Sequence, residues 1–189
     1  MSEKKPDKRT LKTEKAICTA LAELLTEKEL HRITVQEIAD KADINRVTFY
    51  KHYLDVYDLY EKMEKGIITD LGLIVLQGKT DPSCTKSIID YIDENRGLFS
   101  MVFSPYSTGT LRDKIEKMIN GAYLTLYREK YGIRKSNTEF EYLCHYHSSG
   151  CISVIEKWVR SGYNRSKEYI VKSISELDKN FTSFCDKKY

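Results

Sequence analysis

Proline and glycine are scarce in this chain: three and nine among 189 residues. So few breakers argue against a sheet-rich fold with many tight turns and favour long helices. The five cysteines, Cys18, Cys84, Cys144, Cys151 and Cys185, are odd in number and contain no CxxC pair. They form no disulfide framework, and a reduced cytosolic chain is the expectation. No apolar run approaches the ~18 residues of a membrane span; Leu71–Leu76 is too short. Met1 to Thr10 are polar and charged, so no secretory signal is expected and the location is read as cytoplasmic. A formal net charge of +3 gives little pull on a polyanion. Nor is there a Gly-rich phosphate loop, a pair of catalytic carboxylates or a nucleophile motif, so no enzyme is expected and no cofactor is assigned. Ser148 and Ser149 lie beside His147, but neighbours on a helix do not make a nucleophile–base geometry.

What is present is helical periodicity. Ala16, Ala20, Leu21, Leu24 and Leu25 share a face of a helix over about 8–28. Thr34 with Glu37 three residues on makes a capping box, followed by the stripe Val35, Ile38, Ala39 and Ala42. Asn45 caps a helix over 46–53, with Phe49 and Tyr53 one turn apart. Asp55 caps a long helix over 56–77 whose buried face is Leu59, Met63, Ile67, Leu71 and Ile74. After a break at 78–82, Pro82 suits the first turn of a helix over 83–95. Residues 97–103 are apolar and short. Helices over 109–131 and 138–160 close at Gly132 and Gly162, and Ser166 caps a last one with the stripe Ile170, Ile174, Leu177, Phe181 and Phe184. The expected fold is all-α, with about nine helices.

Two short helices joined by a three-residue turn, over Thr34 to Tyr53, form a helix-turn-helix pattern. Arg46, Val47, Thr48, Tyr50, Lys51 and His52 lie off the Phe49/Tyr53 face and present groups that contact phosphates and base edges. By periodicity alone, a DNA reader and an ordinary three-helix subdomain with a solvated face are equally good readings.

The ordered set Thr34-Val35, Glu37-Ile38-Ala39, Ala42, Ile44, Asn45-Arg46, Thr48-Phe49-Tyr50 and His52-Tyr53, continued by Asp58-Leu59, resembles the DNA-binding domain of TetR-family transcriptional regulators. The resemblance implies a DNA-binding domain over 1–54 and a helical effector-binding and dimerising domain over 55–189. Its partners would be double-stranded operator DNA, a second copy of the chain and a small-molecule effector, with no membrane. By position, Arg46, Val47 and Tyr50 would reach base edges. Thr34, Gln36, Thr48, Lys51 and His52 would hold phosphates. The family is mostly one of repressors released by a small molecule; the alternative is a TetR-like coactivator that binds a protein. This sequence departs from the family pattern at Asp43, where glycine is usual, at Val47, where a small residue is common, and at Leu54 and Val56, where lysines are frequent. Asp tolerates a left-handed backbone, so the turn is expected to survive.

In the second domain the resemblance places dimer contacts on the last two helices, with Gly150, Trp158, Ile170, Ile174, Leu177 and Phe181 as candidates. Trp158 to Gly162 with Ser166 to Glu168 resembles the branch related to dihydroxyacetone-kinase operon regulators. Fourteen tyrosines are compatible with an aromatic effector cavity, with Met63, Tyr91, Phe99, Phe103, Tyr106, Tyr123, Tyr127, Tyr142 and Tyr146 as candidates, although filling a helical core is the commoner role for any one of them. Cys144, His147 and Cys151 share one helical stripe, which the reading takes as core or interface packing. Cysteines seven apart are too distant for a metal site on one helix; a site would need another helix or the dimer, and no metal is assigned.

Overall fold

A computed structural model describes residues 8–78 and 84–189. Pro82 and the start of its helix lie outside the described residues, as do the first basic residues, Lys4 and Lys5. Among the described residues there are nine α-helices and no strand: α1 Lys8–Leu24, α2 Val35–Lys41, α3 Arg46–Tyr50, α4 Val56–Gln77, α5 Cys84–Glu94, α6 Arg96–Val102, α7 Thr110–Tyr131, α8 Thr138–Arg160 and α9 Lys167–Lys188. A 3-10 turn, Leu30–Arg32, precedes α2.

Most helix ends are set by local chemistry. Thr34 accepts from the Glu37 N–H while the Glu37 carboxylate accepts from the Thr34 N–H, closing the capping box of α2. The Asn45 side-chain Oδ1 accepts from Val47 N–H at 2.8 Å, and the Asp55 carboxylate accepts from Asp58 N–H at 2.8 Å. Ser166 accepts from Tyr169 N–H and opens α9. At the other ends, Gly132 and Gly162 take φ of 64° and 69°, the left-handed region that glycine enters without a Cβ clash. Helix α6 follows no such signal: it is seven residues long, with a glycine at its second position.

The chain packs as two compact units. One takes the residues up to Ile67 together with Gly97–Gly109; the other takes Ile68–Arg96 and Thr110–Tyr189. In the first, α2 packs on α1 and α3. Its core includes Ile17, Leu21, Leu25, Ile38, Phe49, Leu59, Phe99 and Met101, all essentially without solvent contact. Each such side chain contributes about 1.5–3 kcal/mol by leaving water. Ser104 donates to the Leu25 carbonyl at 2.9 Å just past the end of α1. In the second unit α8 packs on both α7 and α9, and α9 on α5. Buried there are Leu111, Phe140, Cys144, Ile152, Trp158, Ile170 and Ile174.

Candidate nucleic-acid interface and the cavity of the second unit

The turn between α2 and α3 places Asp43 at φ 53°, the left-handed backbone that a glycine would adopt more cheaply. Ile44 N–H donates to the Ala39 carbonyl at 3.0 Å and closes the turn. Ala39, with no solvent contact, gives the two helices their close approach. Phe49 is wholly buried and meets Tyr53 at 5.7 Å between ring centroids. That anchor turns the other side of α3 outward. Val47 is 65% exposed and Tyr50 48%, and Arg46 and Lys51 are exposed as well. Arg46 donates to the Tyr50 hydroxyl at 3.4 Å, so guanidinium and phenol share one open face.

The other candidate DNA contacts are differently placed. Thr34 is exposed, but its hydroxyl both donates to and accepts from Glu37 within the capping box. Gln36 is exposed and donates to Asp40 at 2.6 Å. Thr48 is half-buried. The His52 ring is largely covered and lies 3.2 Å from the Glu14 carboxylate of α1. Leu54 is 81% exposed, whereas Val56 is buried in its own unit. Lys28 pairs with Glu37, and with the Thr34 N–H and hydroxyl it holds the Glu37 carboxyl down to about 2.

The second unit holds a cavity of about 760 Å³ with residues of α4, α5, α7, α8 and α9 in its wall. Most of the wall is apolar: Val75, Ile88, Ile89, Ile119, Leu126, Ile152, Ile155 and Ile174. One side is polar and regular. Tyr123 and Tyr127 of the wall, with Tyr131 beyond it, recur every four residues along α7 and stack at 6.0 and 5.9 Å between centroids. Facing them, Asp178, Thr182 and Asp186 recur every four residues along α9. Tyr123 donates to Asp178 at 2.6 Å, Tyr127 meets the Thr182 hydroxyl at 2.7 Å, and Tyr131 donates to Asp186 at 2.6 Å. Burial and the adjacent Asp178 carboxylate push the Tyr123 phenol well above its ordinary range, so it stays a donor. His147 extends the network: its Nε2 donates to Asp178 at 2.8 Å, and Cys151 Sγ lies 3.9 Å from the same nitrogen. Burial and the charge of Asp178 push the Cys151 thiol up to about 12.

Of the candidate effector residues, the cavity wall includes Tyr123 and Tyr127. Met63, Phe99 and Phe103 are buried in the first unit, and Tyr106 is exposed there. Tyr91 donates to Asp70 at 3.0 Å. Tyr142 and Tyr146 stand on α8 with 73% and 82% of their surface in solvent. Of the candidate dimer residues, Trp158, Ile170 and Ile174 are buried within their own unit, Phe181 packs beside the Tyr127–Phe140 core, and Gly150 and Leu177 are exposed. Ser148 donates to Asn120 and to the His145 carbonyl, and Ser149 to Glu116, so neither hydroxyl is aligned on His147. Asp178, Thr182 and Asp186 belong to no motif in the sequence. Their four-residue spacing on an otherwise amphipathic helix is the one local mark they leave.

A capped helix, a left-handed turn and a short second helix with one side open to solvent define a helix-turn-helix. Comparison with known proteins makes the class specific. The family model of bacterial regulatory proteins, tetR family, matches residues 17–63, and that of a transcriptional regulator C-terminal region matches residues 82–180, more than half of the chain. The chain belongs to the TetR family of transcriptional regulators, which are DNA-binding proteins and not enzymes. A curated relative, the uncharacterized HTH-type transcriptional regulator YxbF of Bacillus subtilis (strain 168), is 37% identical over 62 residues. That stretch covers 32% of this chain and only 16% of the relative. Among solved structures, a TetR transcriptional regulator from Streptococcus agalactiae 2603V is 21% identical at a TM-score of 0.60, over 90% of this chain and 96% of that one. The fatty acid degradation regulator FadR from Bacillus halodurans is 14% identical at 0.66, over 92% and 96%. The dihydroxyacetone kinase operon activator DhaS is 18% identical at 0.55, over 92% and 96%. At these identities the likeness carries the fold alone. No helix among the described residues is long and apolar enough to cross a membrane.

Proposed function

We propose that this regulator is a homodimeric repressor that leaves its operator when a small organic effector enters the cavity of the second unit. Residues 1–54 read the operator, and residues 55–189 bind the effector and dimerise. Arg46, Val47 and Tyr50 take base edges; Thr34, Gln36, Thr48, Lys51 and His52 take phosphates. The observation that carries the reading is the outward side of α3, where Arg46, Val47, Tyr50 and Lys51 are open while Phe49 is wholly buried. Two-fold symmetry follows from what a palindromic operator requires. It is supported by an unpartnered stripe on α8, where Tyr142, Tyr146 and Gly150 recur every four residues in the open, and by exposed Leu177 and Phe184 on α9. A Cβ at Gly150 would meet no described atom within 4 Å, which leaves room for a second helix. An effector shifts the operator equilibrium only by binding the two states unequally.

Residues 1–54 hold 11 basic and 9 acidic residues, and up to Lys65 the count is 13 of each, so the reader carries little net charge. A shallow salt dependence is therefore expected, set by a few placed contacts. The deciding experiment is a gel shift with the gene's own upstream DNA at increasing salt, with wild type and Tyr50→Ala. Salt-sensitive binding weakened by the substitution supports the reading; no binding at low salt overturns it. One observation favours a second reading, a coactivator that docks a protein. Leu54, Val47 and Tyr57 expose apolar surface beside α3, with Leu54 81% in solvent. A defined protein partner lost in Leu54→Glu, together with no DNA shift, would select that reading.

A further inference from the structure

The polar end of the cavity brings together three side chains of the kinds that bind transition metals. His147 and Cys151 lie one turn apart on α8, and Asp178 reaches in from α9. Their Nε2, Sγ and carboxylate oxygen lie within 4.8 Å of one another. We infer that His147, Cys151 and Asp178 form a binding site for a zinc-class divalent transition metal ion, open toward the cavity.

Geometry supports this. In tetrahedral coordination, Zn–N and Zn–O bonds of ~2.0–2.1 Å and a Zn–S bond of ~2.3 Å set ligand atoms about 3.3–3.6 Å apart. The chain holds Nε2 and the Asp178 oxygen at 2.8 Å, and Nε2 and Sγ at 3.9 Å. The first must open by about 0.5 Å and the second close by about 0.3 Å, while the sulfur–oxygen pair, within 4.8 Å, closes by up to about 1.2 Å, which rotation about the side-chain torsions of Cys151 and Asp178 supplies. The ion takes the place of the hydrogen between His147 and Asp178: that proton shifts from Nε2 to Nδ1 as the imidazole changes tautomer, and the thiol proton leaves to solvent. Thiolate and carboxylate then cancel the two positive charges, so the filled site is neutral, as a buried site requires.

The surroundings orient the ligands as second partners do in metal proteins. The His147 ring lies flat on Phe181 at 4.2 Å between centroids and meets Tyr123 edge-on at 4.9 Å. Tyr123 and Thr85 both donate to Asp178, at 2.6 and 3.1 Å. Cys151 and Asp178 line the cavity, so the fourth position faces a space that water or a ligand's oxygen or nitrogen can enter. The two other buried thiols, Cys144 and Cys185, belong to the separate Tyr127–Phe140 core cluster. This inference stands independently of operator binding, because it is read on the protein alone.

The test titrates cobalt(II) into the full-length reduced protein, followed by zinc(II). The expected result is one equivalent per chain, with a thiolate-to-cobalt charge-transfer band and the strong visible absorption of four-coordinate cobalt, both erased by zinc. Cys151→Ser should abolish the charge-transfer band, and His147→Gln or Asp178→Asn should weaken binding by tenfold or more. Cys144→Ser should leave the band intact. No band in wild type, a band that survives Cys151→Ser, or one lost in Cys144→Ser overturns the site. Helicity is checked in every variant. His147→Gln, which keeps a donor for Asp178, carries the test should Cys151→Ser fail to fold, and unchanged cobalt affinity in that variant overturns the site.

Discussion

On α3 the functional side chains stand in water. On α7 and α9 the polar side chains face one another, each phenol of the tyrosine ladder matched to a hydroxyl or carboxylate on the neighbouring helix. Arg46 and Tyr50 share a weak 3.4 Å hydrogen bond, and Tyr50 meets Phe49 edge-on at 5.6 Å, so little is given up before meeting a new partner. Asp178 by contrast already accepts from Tyr123, His147 and Thr85. Open polar groups cost the fold little and are available to a ligand. Buried ones must stay satisfied, because an orphaned buried acceptor loses its water without replacement. The reader is therefore tunable by substitution, whereas the ladder is a structural element whose changes propagate into stability.

Substitutions test this contrast, beginning with the strongest. Phe49→Ala removes the anchor of α3 and should lower the unfolding free energy by about 3–5 kcal/mol, measured by urea denaturation. Its neighbour Tyr50→Ala should leave stability within about 0.5 kcal/mol of wild type. If both changed stability alike, the division of α3 into a buried and an open side would be wrong. Tyr123→Phe should cost about 1.5–3 kcal/mol in the same assay, the range for a hydrogen bond to a charged group. For operator DNA, Tyr50→Ala should weaken binding by about 1–3 kcal/mol while Tyr123→Phe leaves the effector-free affinity unchanged.

Asp43→Gly removes the left-handed strain of the turn and should stabilise the protein by at most about 1 kcal/mol, read as a small rise in Tm. The smallest effect is electrostatic. Glu37 has its carboxyl held near 2 against an ordinary 4.5, so its contribution is complete above about 4.5 and lost as pH falls through about 2. Melting wild type and Glu37→Gln from neutral pH down to about 2 should show a gap that closes across that window. A gap unchanged at the acid end would mean that Lys28 and the α2 cap do not act through the charge.

The helices were legible because their ends are written locally. Asn45, Asp55 and Ser166 each cap within three residues, and the glycines at 132 and 162 stop their helices where the sequence put the stops. Helix α1 ends at Leu24, four residues short of the expected bound, because Thr26 to Lys28 form turns instead of continuing the helix. Helix α6 gave too short a pattern to register. The outward side of α3 was legible from Phe49 and Tyr53 alone. The ladder was not, since its partners lie 55 residues apart and only the packing of α7, α8 and α9 brings them together. The same holds for Asp178 beside His147 and Cys151: the sequence presented two ligands on one helix and gave no hint of which helix would bring the third.

Trp158 is the chain's one tryptophan, and its surroundings have an optical consequence. It is buried in the unit that holds the cavity, with its indole N–H donating to the Arg165 carbonyl at 2.9 Å and Tyr163 edge-on at 4.9 Å. Light absorbed by indole alone is therefore emitted from a single dry, fixed site, while the phenols of the ladder, bonded to carboxylates and a hydroxyl, are partly quenched. A molecule that loosened the ladder would brighten tyrosine emission and leave the indole band in place. Intrinsic fluorescence thus offers a two-colour, label-free screen for whatever enters the cavity.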